Sequence, residues 1–158
     1  MRKILLFILC CFMSVFVLSV TAHAYETTTD IQKIIIGGEE YYLITTDSDI
    51  QTNSPQNTND LQTKTETRTS TILDASQNPL WSISVTATFI YDGTMSQCVA
   101  CSHQTTSYDS HWTTKSSSCS HSGNYATASA TVTQTMPLGS HDYYASVTIS
   151  CTPAGVIY

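Results

Sequence analysis

From Thr63 onward, polar and apolar residues alternate along the chain with a period of two. Thr63, Thr65, Thr67, Thr69 and Thr71 fall on one side of a first segment, and Thr is a β-branched strand former, so a strand is predicted near 63–73. Gln77-Asn78-Pro79 supplies a turn. Beyond it Trp81, Ile83, Val85, Ala87, Phe89 and Tyr91 alternate with Ser82, Ser84, Thr86 and Thr88, the pattern of a strand with one face in a core. Asp92-Gly93 marks a two-residue hairpin turn, because a type I′ turn needs positive φ at both central positions. The chain should therefore return antiparallel through 94–104. A strand carrying Trp112 is predicted around 111–119, and Ser122-Gly123-Asn124 turns it into another with Ala126, Ala128, Ala130, Val132 and Met136 on one face. After Pro137 to Asp142, a sixth strand sets Tyr143, Ala145, Val147, Ile149 and Cys151 against Tyr144, Ser146, Thr148 and Ser150. No apolar repeat of helical period lies between Thr63 and Tyr158. The expectation is a small all-β, antiparallel two-layer sandwich over residues 62–158.

Upstream the pattern is different. Arg2 and Lys3 precede an apolar or small-residue run from Ile4 to Val20, which ends in Thr21-Ala22-His23-Ala24. A charged n-region, an h-region and an Ala-x-Ala site predict a secretory signal peptide over 1–24. The run also reaches the roughly 17-residue lower limit of a spanning helix, but an acidic polar stretch follows it with no basic stop, which favours cleavage over a retained anchor. Cys10 and Cys11 leave with the signal, since Phe7-Ile8-Leu9 lacks the small residue that precedes a lipidated Cys. Residues 25–61 then form an acidic N-terminal arm. Within it, Ile34-Ile35-Ile36, Gly37-Gly38 and Tyr41-Tyr42-Leu43-Ile44 have the form of a hairpin at 33–46. A lone hairpin is marginal in water, so it either docks on the main domain or belongs to a propeptide-like arm. From Asp47 to Asp60 little can be buried, and that stretch is expected to be mobile.

Charge narrows the partners. The chain has 6 Lys+Arg and 12 Asp+Glu, so losing Arg2 and Lys3 leaves 4 against 12, a net of −8. Such a chain repels phosphate backbones and anionic bilayers, which sets aside nucleic acid and, after signal cleavage, the membrane surface. Four cysteines remain, Cys98, Cys101, Cys119 and Cys151. In an oxidising compartment they are expected to form two disulfides. Cys98 and Cys101 are three apart, so on a regular strand they face opposite ways and are poorly placed to bond each other. Cys151 is in phase with Val147 and Ile149 and should face the core. For the others the phase is ambiguous, because Met95 and Val99 lie in step with Cys101 and a bulge would exchange the roles.

An alternative use of the same residues is a zinc site, Cys98-x-x-Cys101-x-His103 with Cys119-x-His121, five ligands able to supply tetrahedral coordination. Exported context and the extra Cys151 favour disulfides, so no metal or other cofactor is expected. A thioredoxin-like role for Cys98 and Cys101 would need a helix N-terminus, and none is predicted there. Hydrolysis would need a nucleophile, a His base and a carboxylate. The chain offers many Ser with His103, His111, His121, His141 and Asp109, but no Gly-x-Ser-x-Gly elbow and no His-Glu-x-x-His. Carboxylates from Glu66 onward are Asp74, Asp92, Asp109 and Asp142, three of them at turns, which disfavours paired-carboxylate chemistry. The expectation is therefore a protein that is not an enzyme. Trp81 and Trp112 are expected in the core and Tyr144, on the polar phase of its strand, at the surface.

Trp81-Ser-Ile-Ser-Val-Thr-Ala-Thr-Phe-Ile-Tyr-Asp-Gly-Thr94, Asp109-Ser-His-Trp112, Ser122-Gly-Asn-Tyr-Ala126 and Val147-Thr-Ile-Ser-Cys151 together resemble segments of short, uncharacterised proteins secreted by Gram-positive, often gut-dwelling, bacteria. The resemblance spans about 63–158. It implies a β-sandwich ectodomain with no assigned activity, and it implies the pairing Cys98–Cys151 with Cys101–Cys119. A weaker likeness is to immunoglobulin domains, through the order Cys98, Trp112, Cys151; Ile149 stands where their tyrosine corner would need Tyr. That likeness carries architecture alone. The functional expectation is a secreted or cell-wall-associated, non-enzymatic binding or structural protein whose partner is an extracellular protein or glycan. The alternatives are an extracellular zinc-binding protein and a secreted antagonist or toxin-like effector.

Overall fold

A computed structural model describes residues 30–50 and 61–158, with the backbone alone at 49 and 50. The signal peptide expected at 1–24 and the segment 51–60 lie outside the described residues. Eight strands follow in order: β1 (Asp30–Ile36), β2 (Glu39–Ile50), β3 (Gln62–Leu73), β4 (Pro79–Tyr91), β5 (Ser96–Ser107), β6 (Trp112–Ser122), β7 (Tyr125–Met136) and β8 (Gly139–Ser150). They pair antiparallel into a five-stranded sheet, β1-β2-β3-β4-β5, and a three-stranded sheet, β6-β7-β8. The two-layer all-β architecture expected from the alternation is present. Its connectivity is a meander within each sheet, and the consecutive strands β5 and β6 lie in different sheets.

The hairpin at 33–46 docks. Gly37 and Gly38 both have positive φ (61° and 90°), and the last pair before them is Ile36↔Glu39, the geometry a two-residue type I′ turn requires. β2 then pairs along β3 from Tyr42↔Leu73 to Ile50↔Thr65. Residues 30–50 thus belong to the same sheet as the domain expected to begin at 62. Asp47 to Ile50, expected to be mobile, are strand. Composition missed the reason: the Arg68 guanidinium grips both carboxylate oxygens of Asp47 and also donates to the Thr148 carbonyl at 2.9 Å. Such a bidentate pair fixes register as well as charge.

Two other turns differ from expectation. Asp92-Gly93 does not close a two-residue hairpin; the last pair is Tyr91↔Ser96, so the turn has four residues. The Asp92 carboxylate accepts from the Met95 and Thr94 amides, each at 2.9 Å, and from the Thr94 hydroxyl. These donors, Met95 first, hold its pKa below the ordinary aspartate value. This Asx-type cap substitutes for the second positive-φ residue that a type I′ turn would need. At the other difference, β8 starts at Gly139, with Met136↔Gly139 as the first pair. Pro137-Leu138 is therefore a tight turn, and the loop expected from Pro137 to Asp142 is mostly strand.

The core lies between β4 and the small sheet. Trp81, Ile83, Val85, Ala87 and Phe89 are buried on one face of β4, and Ala126, Ala128, Ala130 and Val132 are buried on β7. Large side chains on one layer thus meet mostly alanines on the other, which lets the layers interlock at interior packing density. Trp81 spans the gap, and its indole N–H donates to Thr114 Oγ1 on β6 at 2.9 Å. The edges of the two sheets are joined by side chains. Between β5 and β6 these are Cys101–Cys119, His103 Nε2 with Ser117 Oγ at 3.0 Å, and Thr114 Oγ1 to Thr105 Oγ1 at 3.1 Å.

Candidate functional site

The residues singled out in the sequence separate into two groups. Cys101 and Cys119 form a disulfide, with Cα atoms 6.5 Å apart. Cys98 and Cys151 are free thiols, both buried, where the resemblance implied a second bridge. Their backbone amides donate to the carbonyls of adjacent residues, Cys98 to Gly123 at 2.7 Å and Cys151 to Asn124 at 2.9 Å. Both thiols therefore sit at the β6–β7 turn, and burial is the main cause that pushes both pKa values up.

Cys98 faces inward because Phe89 pairs with Cys98 and Thr88 with Ala100, leaving Val99 as an extra bulged residue. The bulge resets the side-chain phase. Cys98 and Cys101 consequently lie on the same side of β5, contrary to the expectation for a regular strand. The five alternative zinc ligands are not brought together: Cys101 and Cys119 are bonded to each other, and His103 contacts Ser117. Among the described residues no group of three or more His, Cys, Asp or Glu has metal-binding geometry. Trp81 and Trp112 are in the core, and Tyr144 is 65% exposed, as the strand phase predicts.

A different constellation emerges at the opposite end of the sandwich. In a meander, alternate turns lie at the same end, so the β1–β2, β3–β4, β5–β6 and β7–β8 turns converge. Glu39, Asp74, Asp109 and Gln134 come from these four places and line one open cavity of about 450 Å³, with Tyr41 and Trp112 among its walls. The two rings meet edge to face, with centroids 5.3 Å apart, a favoured aromatic geometry.

Each polar group here has an identifiable orientation. Gln134 Nε2 donates to the Tyr41 hydroxyl at 2.5 Å, and that hydroxyl donates to Glu39 Oε2 at 2.8 Å. Because the Tyr41 proton is committed to Glu39, the amide must turn its N–H toward Tyr41, and its oxygen points away. Gln134 Oε1 is buried with no hydrogen-bond partner, on a side chain only 6% exposed overall. Burial raises the Tyr41 pKa, and the bond to Glu39 adds to the rise. Asp109 accepts from the His111 amide at 2.7 Å and from His111 Nδ1 at 2.8 Å. These contacts, the amide first, lower its pKa. Asp74 is held low in the same way, chiefly by Asn78, whose side chain and amide donate to it.

Asp109 with His111 is the one carboxylate–imidazole pair among the described residues. No hydroxyl or thiol among those residues is hydrogen-bonded to the other ring nitrogen. The Lys and Arg side chains of the described residues are committed elsewhere: Lys64 to Glu66, Arg68 to Asp47, Lys115 to Asp142, and Lys33 to Glu40 at the cavity rim. Among the described residues no Lys or Arg pairs with Glu39, Asp74 or Asp109, and Asp109 faces the His111 imidazole. No family model matches the chain, and neither a curated protein nor a solved structure matches it.

Proposed function

We propose that the protein is exported and acts outside the cell, free or held at the wall, as a non-enzymatic binding module whose site is the cavity at the convergent-turn end. The observation that carries this reading is the cavity's chemistry: aromatic walls and carboxylate oxygens with spare hydrogen-bonding capacity. Concave sites with a few fixed polar groups on a rigid scaffold are where small domains bind. The Cys101–Cys119 disulfide is compatible with an oxidising compartment. Binding, rather than a purely structural role, is favoured because Glu39 and Asp109 line the cavity and each has a carboxylate oxygen without a hydrogen-bond partner among the described residues.

A panel of fluorogenic ester, peptide and glycoside substrates tests the non-enzymatic half of the proposal. The expected result is no turnover above buffer for either the protein or its His111→Ala variant. Turnover that disappears in His111→Ala would contradict it, because it would make the His111–Asp109 pair catalytic.

A further inference from the structure

The outer face of the small sheet takes no part in the core. Ala126, Ala128 and Ala130 of β7 and Ala145, Val147 and Ile149 of β8 point inward and are buried, so the residues between them point out. From the cross-strand row Ser116–Thr131–Tyr144 to the row Ser122–Tyr125–Ser150, every outward residue ends in a hydroxyl. No formal charge falls in these rows. The adjoining row holds Asp142, opposite Thr133 and ion-paired with Lys115 at 2.6 Å. Two tyrosines stand on this floor, Tyr144 65% exposed and Tyr125 45% exposed. Tyr144 lies opposite Thr131, six residues along β7 from Tyr125, which at about 3.4 Å per residue sets the two side chains about 20 Å apart.

The face is also shaped. A depression of about 180 Å³ lies against Tyr144, with Ser116, Ser118, Ser129 and Thr131 in its lining. The hydroxyls of those four have no hydrogen-bond partner among the described residues, whereas Thr127 and Thr148, between the tyrosines, satisfy each other at 2.8 Å. A ligand for this surface must be uncharged, must offer donors and acceptors alike because each hydroxyl is both, and must present apolar faces to the tyrosine rings. An ion asks for counter-charge that the rows lack, and an apolar partner would leave the hydroxyls unpaired. A pyranose meets all three demands, since its hydroxyls donate and accept in the ring's plane and its C–H face stacks on an aromatic ring. We infer that the outer face of β6-β7-β8 binds a neutral polysaccharide, with one sugar ring in the depression against Tyr144, the chain running over the Ser/Thr floor, and a second ring against Tyr125. This surface shares no lining residue with the convergent-turn cavity, so the inference goes beyond the reading given above and does not rest on it.

The test is calorimetric titration of the protein with three uncharged oligosaccharides, cellohexaose, xylohexaose and chitohexaose. The expected result is binding of at least one of them, weakened by about tenfold in Tyr144→Ala and by a similar factor in Tyr125→Ala, the effect of losing one stacked ring. Tyr108→Ala, at an exposed tyrosine on the β5–β6 connection, and the cavity variant Glu39→Gln/Asp109→Asn should leave it unchanged. Circular dichroism of each variant confirms that the fold is intact. No binding of any of the three sugars, binding that both Tyr144→Ala and Tyr125→Ala leave intact, or an equal loss in Tyr108→Ala overturns the inference. Binding that is lost in the cavity variant and kept in the two tyrosine variants also overturns it, and moves the sugar to the convergent-turn cavity, so the reading of that cavity stands or falls separately.

Discussion

Trp81→Ala is expected to lower the stability of the domain by about 4 kcal/mol, the scale observed when a fully buried large aromatic is truncated. Trp81 is 1% exposed on the central strand β4, and its indole reaches across to Thr114 on β6. The substitution removes apolar burial, opens a cavity beside Thr114, and leaves Thr114 without its donor. Folded domains of this size have only about 5–15 kcal/mol in hand, so the substitution removes a large fraction of the stability. Trp81→Phe should cost less, because the ring is retained and only the outer part of the indole is lost. Tyr144→Ala, on an exposed side chain, should change stability by under about 0.5 kcal/mol. Denaturant unfolding followed by circular dichroism measures all three. A Trp81→Ala midpoint within error of the parent would mean that β4 does not face the small sheet.

The second large effect concerns the cysteines. Cys101 and Cys119 are 18 residues apart, and replacing both with Ser should cost about 3 kcal/mol in the chain-entropy model. The bridge also ties together two edges that share side-chain contacts rather than a backbone ladder, so its loss should first loosen the β5–β6 seam. Cys98, on β5, and Cys151, just after β8, are buried thiols whose amides bond to the same β6–β7 turn, and glutathione disulfide is expected to join them. The two thiols give up two protons and two electrons, and the oxidant leaves as two glutathione thiols. Closing that longer loop should add about 4 kcal/mol. Peptide mapping of protein before and after oxidation reads both results, with Cys101–Cys119 present throughout and Cys98–Cys151 appearing on oxidation. A peptide joining Cys98 to Cys101 or to Cys119 would contradict the arrangement.

The strands from Thr63 onward were legible because one face of each meets a core, and a buried face imposes period two on its residues. Trp81 to Phe89 and Ala126 to Val132 show this directly. The hairpin at Gly37-Gly38 was legible because only glycine occupies two consecutive positive-φ positions without strain. What could not be read was long-range. Asp47 looks like part of a solvated polar run until Arg68, 21 residues on, is seen to hold it. The bulge at Val99 leaves no local mark, yet it decides which way Cys98 points. The cavity is harder still, since Glu39, Asp74, Asp109 and Gln134 share no motif. One clue was available: in a sequential meander, polar residues next to every second turn must gather at one end. The sequence reading weighed Asp109 and His111 only as members of a triad, and it passed over Glu39 and Gln134.

The proposal that this protein is a binding module acting through its convergent-turn cavity is tested most directly on an array of random capped hexapeptides, probed with the parent protein and with the double variant Glu39→Gln/Asp109→Asn. The predicted result is retention of the parent on a subset of the peptides, with the signal lost in the double variant. Equal retention of both proteins, or retention of neither, would contradict it.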